Sequence, residues 1–368
     1  MNRIYLDNAS TTKLLPSAAL IRNEIAQTYE GNASASHSEG KKSRILIENF
    51  KEKVKKITGF SEHDVIFTPG ATYGNNLAIS IGSSRGRILT GDLEHASIYR
   101  FLEIPGAVSI PSDKNGLYNP ELIRETLQKE RFSLVSLMLA SNELGTRQNI
   151  EKIAEIIALS SPKTLFHVDA VQGFSPGQWF KSSAHIDLVT LSAHKFHGPL
   201  GSGILLARSG LGDLDFIRGG GQQKFLSGTL PVDNIAATVS AMEEVWKLRN
   251  TEFEKRCAEF TSILESETKD LLVTCATSPR IPWIVNVSLP GLRGEIIVRA
   301  LDTMGIIASW SSACSSGKGG LSRSLKSIGA DPSRGYIRLA YSVFTTEAEV
   351  SETARTLSEI VKNYSVVL

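Results

Sequence analysis

The sequence predicts an α/β protein in two parts, a large domain on a mostly parallel sheet and a smaller α+β domain, and three observations carry that expectation. Short apolar runs alternate with helical stretches between Asp64 and Ala207, which implies right-handed crossovers and a sheet covered on both faces. After Pro231 a long helical stretch through Met242, Val245, Trp246 and Phe253 leads the chain away from that pattern. The length, 368 residues, exceeds one simple core and suits two domains of ordinary size. The expected boundaries are 15–240 for the large domain, with 1–14 and 241–368 forming the small one.

The elements follow in order. Residues 16–29 read as a helix that opens on Pro16 and closes at Gly31, and 38–56 as a second with Leu46, Phe50, Val54 and Ile57 on one face. Apolar runs at 64–68, 87–90, 107–110, 134–140, 165–168, 187–191 and 202–207 are the strands of the large sheet. The later part holds strand candidates at 271–274, 284–289, 306–310 and 337–342, with helices at 295–304, 321–328 and 347–361. Gly198, Gly201, Gly203 and Gly219 to Gly221 read as turns and close backbone approaches.

Composition narrows the function. Apolar residues make up 41% and charged residues 21%, with 40 basic against 38 acidic side chains, so neither disorder nor a nucleic-acid partner is expected. The three cysteines, Cys257, Cys275 and Cys314, form no Cys-x-x-Cys pair, and no histidine sits at ligand spacing. That argues against a disulfide framework or a metal site and suits a reducing cytosol. The opening residues lack a leader's basic and apolar regions, and no apolar run approaches a membrane span, so a cytoplasmic protein with no membrane partner is expected.

Gly and polar residues gather just after the apolar runs, the carboxyl edge where parallel sheets bind ligands. The run from Asp64 to Asn76 ends a strand at a glycine and starts a helix with Ala71 and Thr72 in its first turn. Free N–H groups, a dipole and a hydroxyl suit a phosphate there, although a plain βα turn with a Thr cap fits the same residues. Two further strands end in Asp169 and in Ser192-Ala-His194-Lys195. A lysine can form a Schiff base with an aldehyde cofactor, and a carboxylate can keep a cofactor's ring nitrogen protonated. Each residue alone reads as a surface lysine or a capping aspartate; together with a phosphate cup they point to a cofactor site. No Gly-x-Gly-x-x-Gly follows a strand, and Gly317-Lys318 lacks the rest of a P-loop. Cys257 and Cys275 read as small buried hydrophobes, whereas Cys314 sits in Ser311-Ser-Ala-Cys-Ser-Ser-Gly, a small polar stretch able to swing a thiolate.

These residues resemble the cysteine desulfurases of the NifS/IscS kind, class V aminotransferases of the fold-type I pyridoxal-phosphate enzymes, over almost the whole chain. The matching motifs are Gly-Ala-Thr at 70–72, Glu94-His95, Asn142-Glu143-Leu-Gly145, His167-Val-Asp169-Ala-Val-Gln172, Ser192-Ala-His194-Lys195, Ser227-Gly-Thr229 and Ser312-Ala-Cys314. The resemblance implies pyridoxal 5'-phosphate on Lys195, Asp169 at the ring nitrogen and His95 stacked on the ring as acid or base. It implies Thr72, Ser192 and His194 at the phosphate, Gln172 and Asn142 at the ring oxygen or the substrate, and Arg338 on the substrate carboxylate. Thr229 would reach the partner subunit's phosphate in a homodimer. L-Cysteine would lose its sulfur to Cys314 as a persulfide bound for an acceptor protein, such as one serving iron–sulfur cluster assembly, and leave as alanine.

Several positions depart from the family's pattern: Pro69 before the Gly-Ala-Thr motif and Tyr73, Gly74 and Asn75 after it, the segment Asn32-Ala-Ser-Ala-Ser36-His37, Leu226 before Ser-Gly-Thr, Trp310, and Val343 beside the Phe-Thr-Thr run. The chain as given also stops at Leu368, short of the tail that housekeeping members use to dock a cluster-assembly scaffold. A selenocysteine lyase, a β-eliminating lyase of the same cofactor class and a non-catalytic scaffold relative stay open as alternatives, as does the pathway fed.

Overall fold

The computed structural model describes residues 3–174, 179–180, 185–211, 216–248, 251–310 and 320–365. Strand β1 (Ile4–Tyr5) and helices α1 (Pro16–Thr28) and α2 (Ser38–Thr58) come first. Strands and helices then alternate through β2 (His63–Thr68), α3 (Ala71–Ser83), β3 (Ile88–Gly91), α4 (Ala96–Tyr99), β4 (Ala107–Ile110), α5 (Pro120–Lys129), β5 (Leu134–Met138), α6 (Ile150–Ser160), β6 (Leu165–Asp169), β7 (Leu188–Ser192) and β8 (Gly203–Arg208). A ribbon of β9 (Ile217–Gly221) and β10 (Leu226–Gly228) leads into α7 (Val232–Leu248) and α8 (Thr251–Glu267). The chain finishes with β11 (Leu272–Val273), β12 (Ile284–Pro290), α9 (Gly294–Thr303), β13 (Ile306–Ile307), α10 (Arg323–Ser327), β14 (Arg334–Ala340) and α11 (Glu347–Ser365).

The large sheet runs β2-β8-β7-β6-β5-β3-β4, with β8 antiparallel to both its neighbours and every other pair parallel. Strands β5, β6 and β7 are buried at every residue, as crossover helices on both faces demand. Helix α2 ends at Gly59, whose φ of +79° lets its N–H reach the Lys55 carbonyl. In the later part β11, β12 and β14 make an antiparallel sheet, while β1 pairs in parallel with β13. Ile4 and Leu6 are buried in a second apolar core with Phe260, Val287, Leu301 and Ile337. The polypeptide therefore returns its first residues to a core otherwise built mainly from its last hundred or so.

Local differences have local causes. Gly219 to Gly221 lie in β9, which pairs with β10, and are not simply turns. Backbone ladder bonds define that strand, and three glycines supply no side-chain alternation from which to read it. Strand β14 begins at Arg334, earlier than the apolar run, because Arg334 is anchored on the neighbouring strand: its Nε donates to Ser288 Oγ at 2.8 Å. Cys257 is fully buried, and burial pushes its thiol up to about 12. Cys275 is only half-buried, in a left-handed turn at φ +53°, which corrects its reading as a core residue. Gly145 has φ +75°, and a Cβ there would lie 2.2 Å from the Ile284 carbonyl oxygen, so only glycine lets the loop after β5 meet β12 this closely.

Candidate active site

A cavity of about 440 Å3 opens at the carboxyl edge of β5, β6 and β7, where ligands bind in open α/β sheets. One wall is the start of α3. Gly70 is its N-cap at φ +147°, no side chain caps the helix, and a Cβ on Gly70 would meet open space. The first-turn N–H groups of Ala71 and Thr72 thus have no intrahelical acceptor and sit at the positive end of the helix dipole. Ser192 and His194, from the end of β7, line the same hollow. Such a cradle suits a phosphate.

Deeper in, Asp169 ends β6 at 5% exposure. Its Oδ2 accepts from Asn75 Nδ2 at 2.7 Å and its Oδ1 from the Val171 N–H at 3.0 Å. Burial raises its pKa, while that N–H, His95, Asn75 and Lys195 pull the other way. A buried carboxylate of this kind is stabilised by a cationic N–H in the space it faces. Lys195 stands just beyond the next strand, since β6 and β7 pair in parallel, and its Nζ donates to the carbonyls of Ala9 at 2.7 Å and Ser10 at 2.6 Å. His95 caps α4, with Nδ1 accepting the Ser97 N–H at 3.2 Å, and burial above all lowers its pKa. Burial, then the Lys195 charge, brings His194 to about 4, so its ring is neutral near pH 7.

Arg338 lines the cavity from β14 with its fork partly engaged. Nη1 donates to the Asn142 carbonyl at 2.9 Å, and Nη2 to Asp7 Oδ1 and Ser10 Oγ, each at 2.7 Å, while the buried Nε has no partner. Gln172 also lines the cavity, and its Nε2 donates to the Ala9 carbonyl at 3.0 Å. The structure thus gathers Ala71, Thr72, His95, Asn142, Asp169, Gln172, Ser192, His194, Lys195 and Arg338 around one space. Thr229 is outside that lining and accepts from Asn32 Nδ2 at 3.4 Å; Cys314 lies outside the described residues. Among the departures, Tyr73 stands on the cavity wall at 47% exposure, Leu226 is buried in an apolar cluster with Ile66, Leu205 and Phe225, and Trp310 and Val343 pack against the second core.

Sequence reasoning missed Asp7, Ser10, Asn75 and Ser97. Asn75 carried a usable signal, lying one turn beyond Thr72 and so on the same face of α3. Asp7 and Ser10 carry no such signal, because the charged partner that brings them to the site, Arg338, is 331 residues from Asp7. No group of His, Cys, Asp or Glu able to hold a metal occurs among the described residues. None of their helices is long and apolar enough to cross a membrane.

Beneath the cavity a buried polar ladder crosses the sheet. Ser136 Oγ meets His167 Nδ1 at 2.8 Å, and His167 Nε2 meets Thr190 Oγ1 at 2.9 Å. Burial lowers His167 from 6.5 to about 3. Its neutral form therefore contributes stability that is present above pH 6.5 and lost as pH falls toward 3, about 2 kcal/mol by pH 5. Glu94 and Asp169, raised by burial, act with the opposite sign. The histidine's share is accordingly read by difference. The stability gap between the protein and His167→Asn, from urea midpoints, is expected to shrink by about 2 kcal/mol between pH 7 and pH 5; a constant gap would refute this.

Comparison with known proteins agrees with this geometry. Residues 4–352 match the aminotransferase class-V family. A Lactobacillus delbrueckii subsp. bulgaricus protein named NifS/IcsS protein homolog is 32% identical over 385 residues, spanning 99% of this chain and 98% of that one. A Dictyoglomus turgidum protein named cysteine desulfurase IscS is 30% identical over 383 residues, spanning 99% and 96%. Among solved structures, a NifS-like protein superposes with a TM-score of 0.88 at 29% identity, over 98% of this chain and 100% of that one. The structure of SspA in complex with cysteine gives 0.79 at 26% identity, over 93% and 100%. The chain belongs to the class-V aminotransferase family, among the cysteine desulfurases of the NifS and IscS type.

Proposed function

We propose that this enzyme is a pyridoxal-phosphate cysteine desulfurase, on one observation above the rest: an amine, a buried carboxylate, an imidazole and an uncapped helix end share a single cavity. The fit to the cofactor is specific. The open space over Gly70 admits a phosphate against the N–H groups of Ala71 and Thr72, with Ser192 and His194 completing the hold. Asp169 would pair with a protonated ring nitrogen and Lys195 would supply the amine for the aldehyde, while Gln172, on the same cavity wall, would help hold the ring. Bound there, pyridoxal phosphate supplies an aldehyde that condenses with amines and a ring that accepts electrons from the substrate's α-carbon.

The remaining work falls to side chains. Arg338, oriented by Asp7 and Asn142, presents a cation to the substrate carboxylate. Lys195, its amine in the cavity, would be placed to move the α-proton, and His95 would act as acid or base toward the substrate. Cys314 thiolate attacks the substrate sulfur: a sulfur–sulfur bond forms, the carbon–sulfur bond breaks, and the carbon keeps the electron pair and takes up protons to leave as alanine. The persulfide then passes to an acceptor. Thr229 on the surface is assigned to the phosphate site of a partner subunit, which makes the working unit a homodimer.

With L-cysteine and a reductant, the cofactor-loaded protein is expected to yield alanine and sulfide in equal amounts, and Cys314→Ser neither. Pyruvate in place of alanine would identify an eliminating lyase, and full activity of Cys314→Ser would exclude a persulfide on this residue.

A further inference from the structure

We propose that Asn75 and Ser97 are positioning residues, a relay from Asp169 to His95 that fixes the neutral His95 ring with its proton on Nε2, so that His95 offers the cavity a donor. The inference deepens the cofactor reading of this site. Asn75 is 1% exposed and uses its amide nitrogen twice, donating to Asp169 Oδ2 at 2.7 Å and to Ser97 Oγ at 2.9 Å. A carboxylate only accepts, which orients the amide; Ser97 Oγ must then accept from Asn75, leaving its own proton for His95 Nδ1 at 2.9 Å. The Ser97 backbone N–H, which can only donate, reaches the same Nδ1 at 3.2 Å. A nitrogen that receives two donors is the unprotonated one, so the ring's proton resides on Nε2.

The relay also disfavours the imidazolium, because a proton on Nδ1 would confront the Ser97 N–H. The charged groups around His95 are Asp169 from β6, Lys195 from beyond β7, Arg323 from α10 and Glu143 from the loop after β5. The two carboxylates favour the cation and the two bases oppose it, but burial outweighs them and keeps the ring neutral. Removing the Ser97 hydroxyl frees Nδ1 of one neutral donor, a change equivalent to about half to one pKa unit.

The test is nitrogen-15 NMR of the holoenzyme labelled at histidine, with His95 identified by comparison with His95→Gln. The expected result is a protonated Nε2 and bare Nδ1 near pH 7, with the His95 titration moved up by about half to one unit in Ser97→Ala and restored in Ser97→Thr. Asn75→Ala, which cuts the link to Asp169 and leaves the hydroxyl free to turn, is expected to move the titration in the same direction. A proton on Nδ1 in the parent protein, or an unmoved titration in both Ser97→Ala and Asn75→Ala, would overturn the relay. The spectrum does not depend on which substrate is turned over, so a failed alanine and sulfide assay would reject the desulfurase reading without touching this one.

Discussion

Replacing Lys195 with Ala is expected to cut turnover of L-cysteine at least ~10^3-fold, the scale seen when a nucleophile that acts with its neighbours is removed. The side chain also has a structural task, since its Nζ donates to the Ala9 and Ser10 carbonyls. Lys195→Arg separates the two. A guanidinium keeps the charge and can donate to the same carbonyls, but it stays protonated at any working pH and cannot attack an aldehyde. Both variants are therefore expected to be inactive, with Lys195→Arg close to the parent in thermal unfolding. Cofactor absorbance retained through gel filtration should change character or disappear with the covalent attachment. More than a tenth of parent turnover in Lys195→Arg would assign the lysine to the fold instead.

The second large effect concerns Asp169→Asn, for which activity and stability are expected to part. An amide cannot balance a protonated ring nitrogen, so turnover should fall by about 10^2- to 10^4-fold. The cofactor-free protein should melt at the same temperature or higher, because a buried carboxylate with a raised pKa is removed. The new amide keeps an oxygen for the Val171 N–H. Its nitrogen finds an acceptor if Asn75 turns over, since Asn75 Oδ1 is buried without a partner in the present arrangement. Activity and melting temperature lost together would place the carboxylate's role in folding.

The legible part of the architecture was that governed by period and punctuation. Continuous apolar runs gave the buried strands β5, β6 and β7, and Pro16 marked the start of α1. The site was legible to the same degree, because Asp169 and Lys195 end strands and strand ends collect at one edge. Relations through space were not. The two-residue strand β1 is too short for any pattern, its pairing with β13 joins residues about three hundred apart, and the Arg338 fork looks unengaged until Asp7 is brought against it by the fold. Likewise the Asn75–Ser97 contact joins the second turn of α3 to the first turn of α4, which no local signal connects.

The path of residues 4–10 bears on how the molecule comes into being. Asn8 Nδ2 donates to the Ala340 carbonyl at 2.8 Å, Leu6 N–H to that of Ile307 at 2.9 Å, and the carbonyls of Ala9 and Ser10 receive Lys195. Residues 4–10 can therefore be seated only once strands some three hundred residues further along the chain are in place, and contacts of such long sequence separation are costly to close early in folding. Asp7 is held locally by Ser10, whose hydroxyl donates to its Oδ1 at 2.9 Å, but its charge is answered only when Arg338 of β14 is in place. The site's cation is thus oriented by a contact that joins two distant stretches of sequence, so the order in which the fold closes also sets when the cavity acquires its full set of side chains.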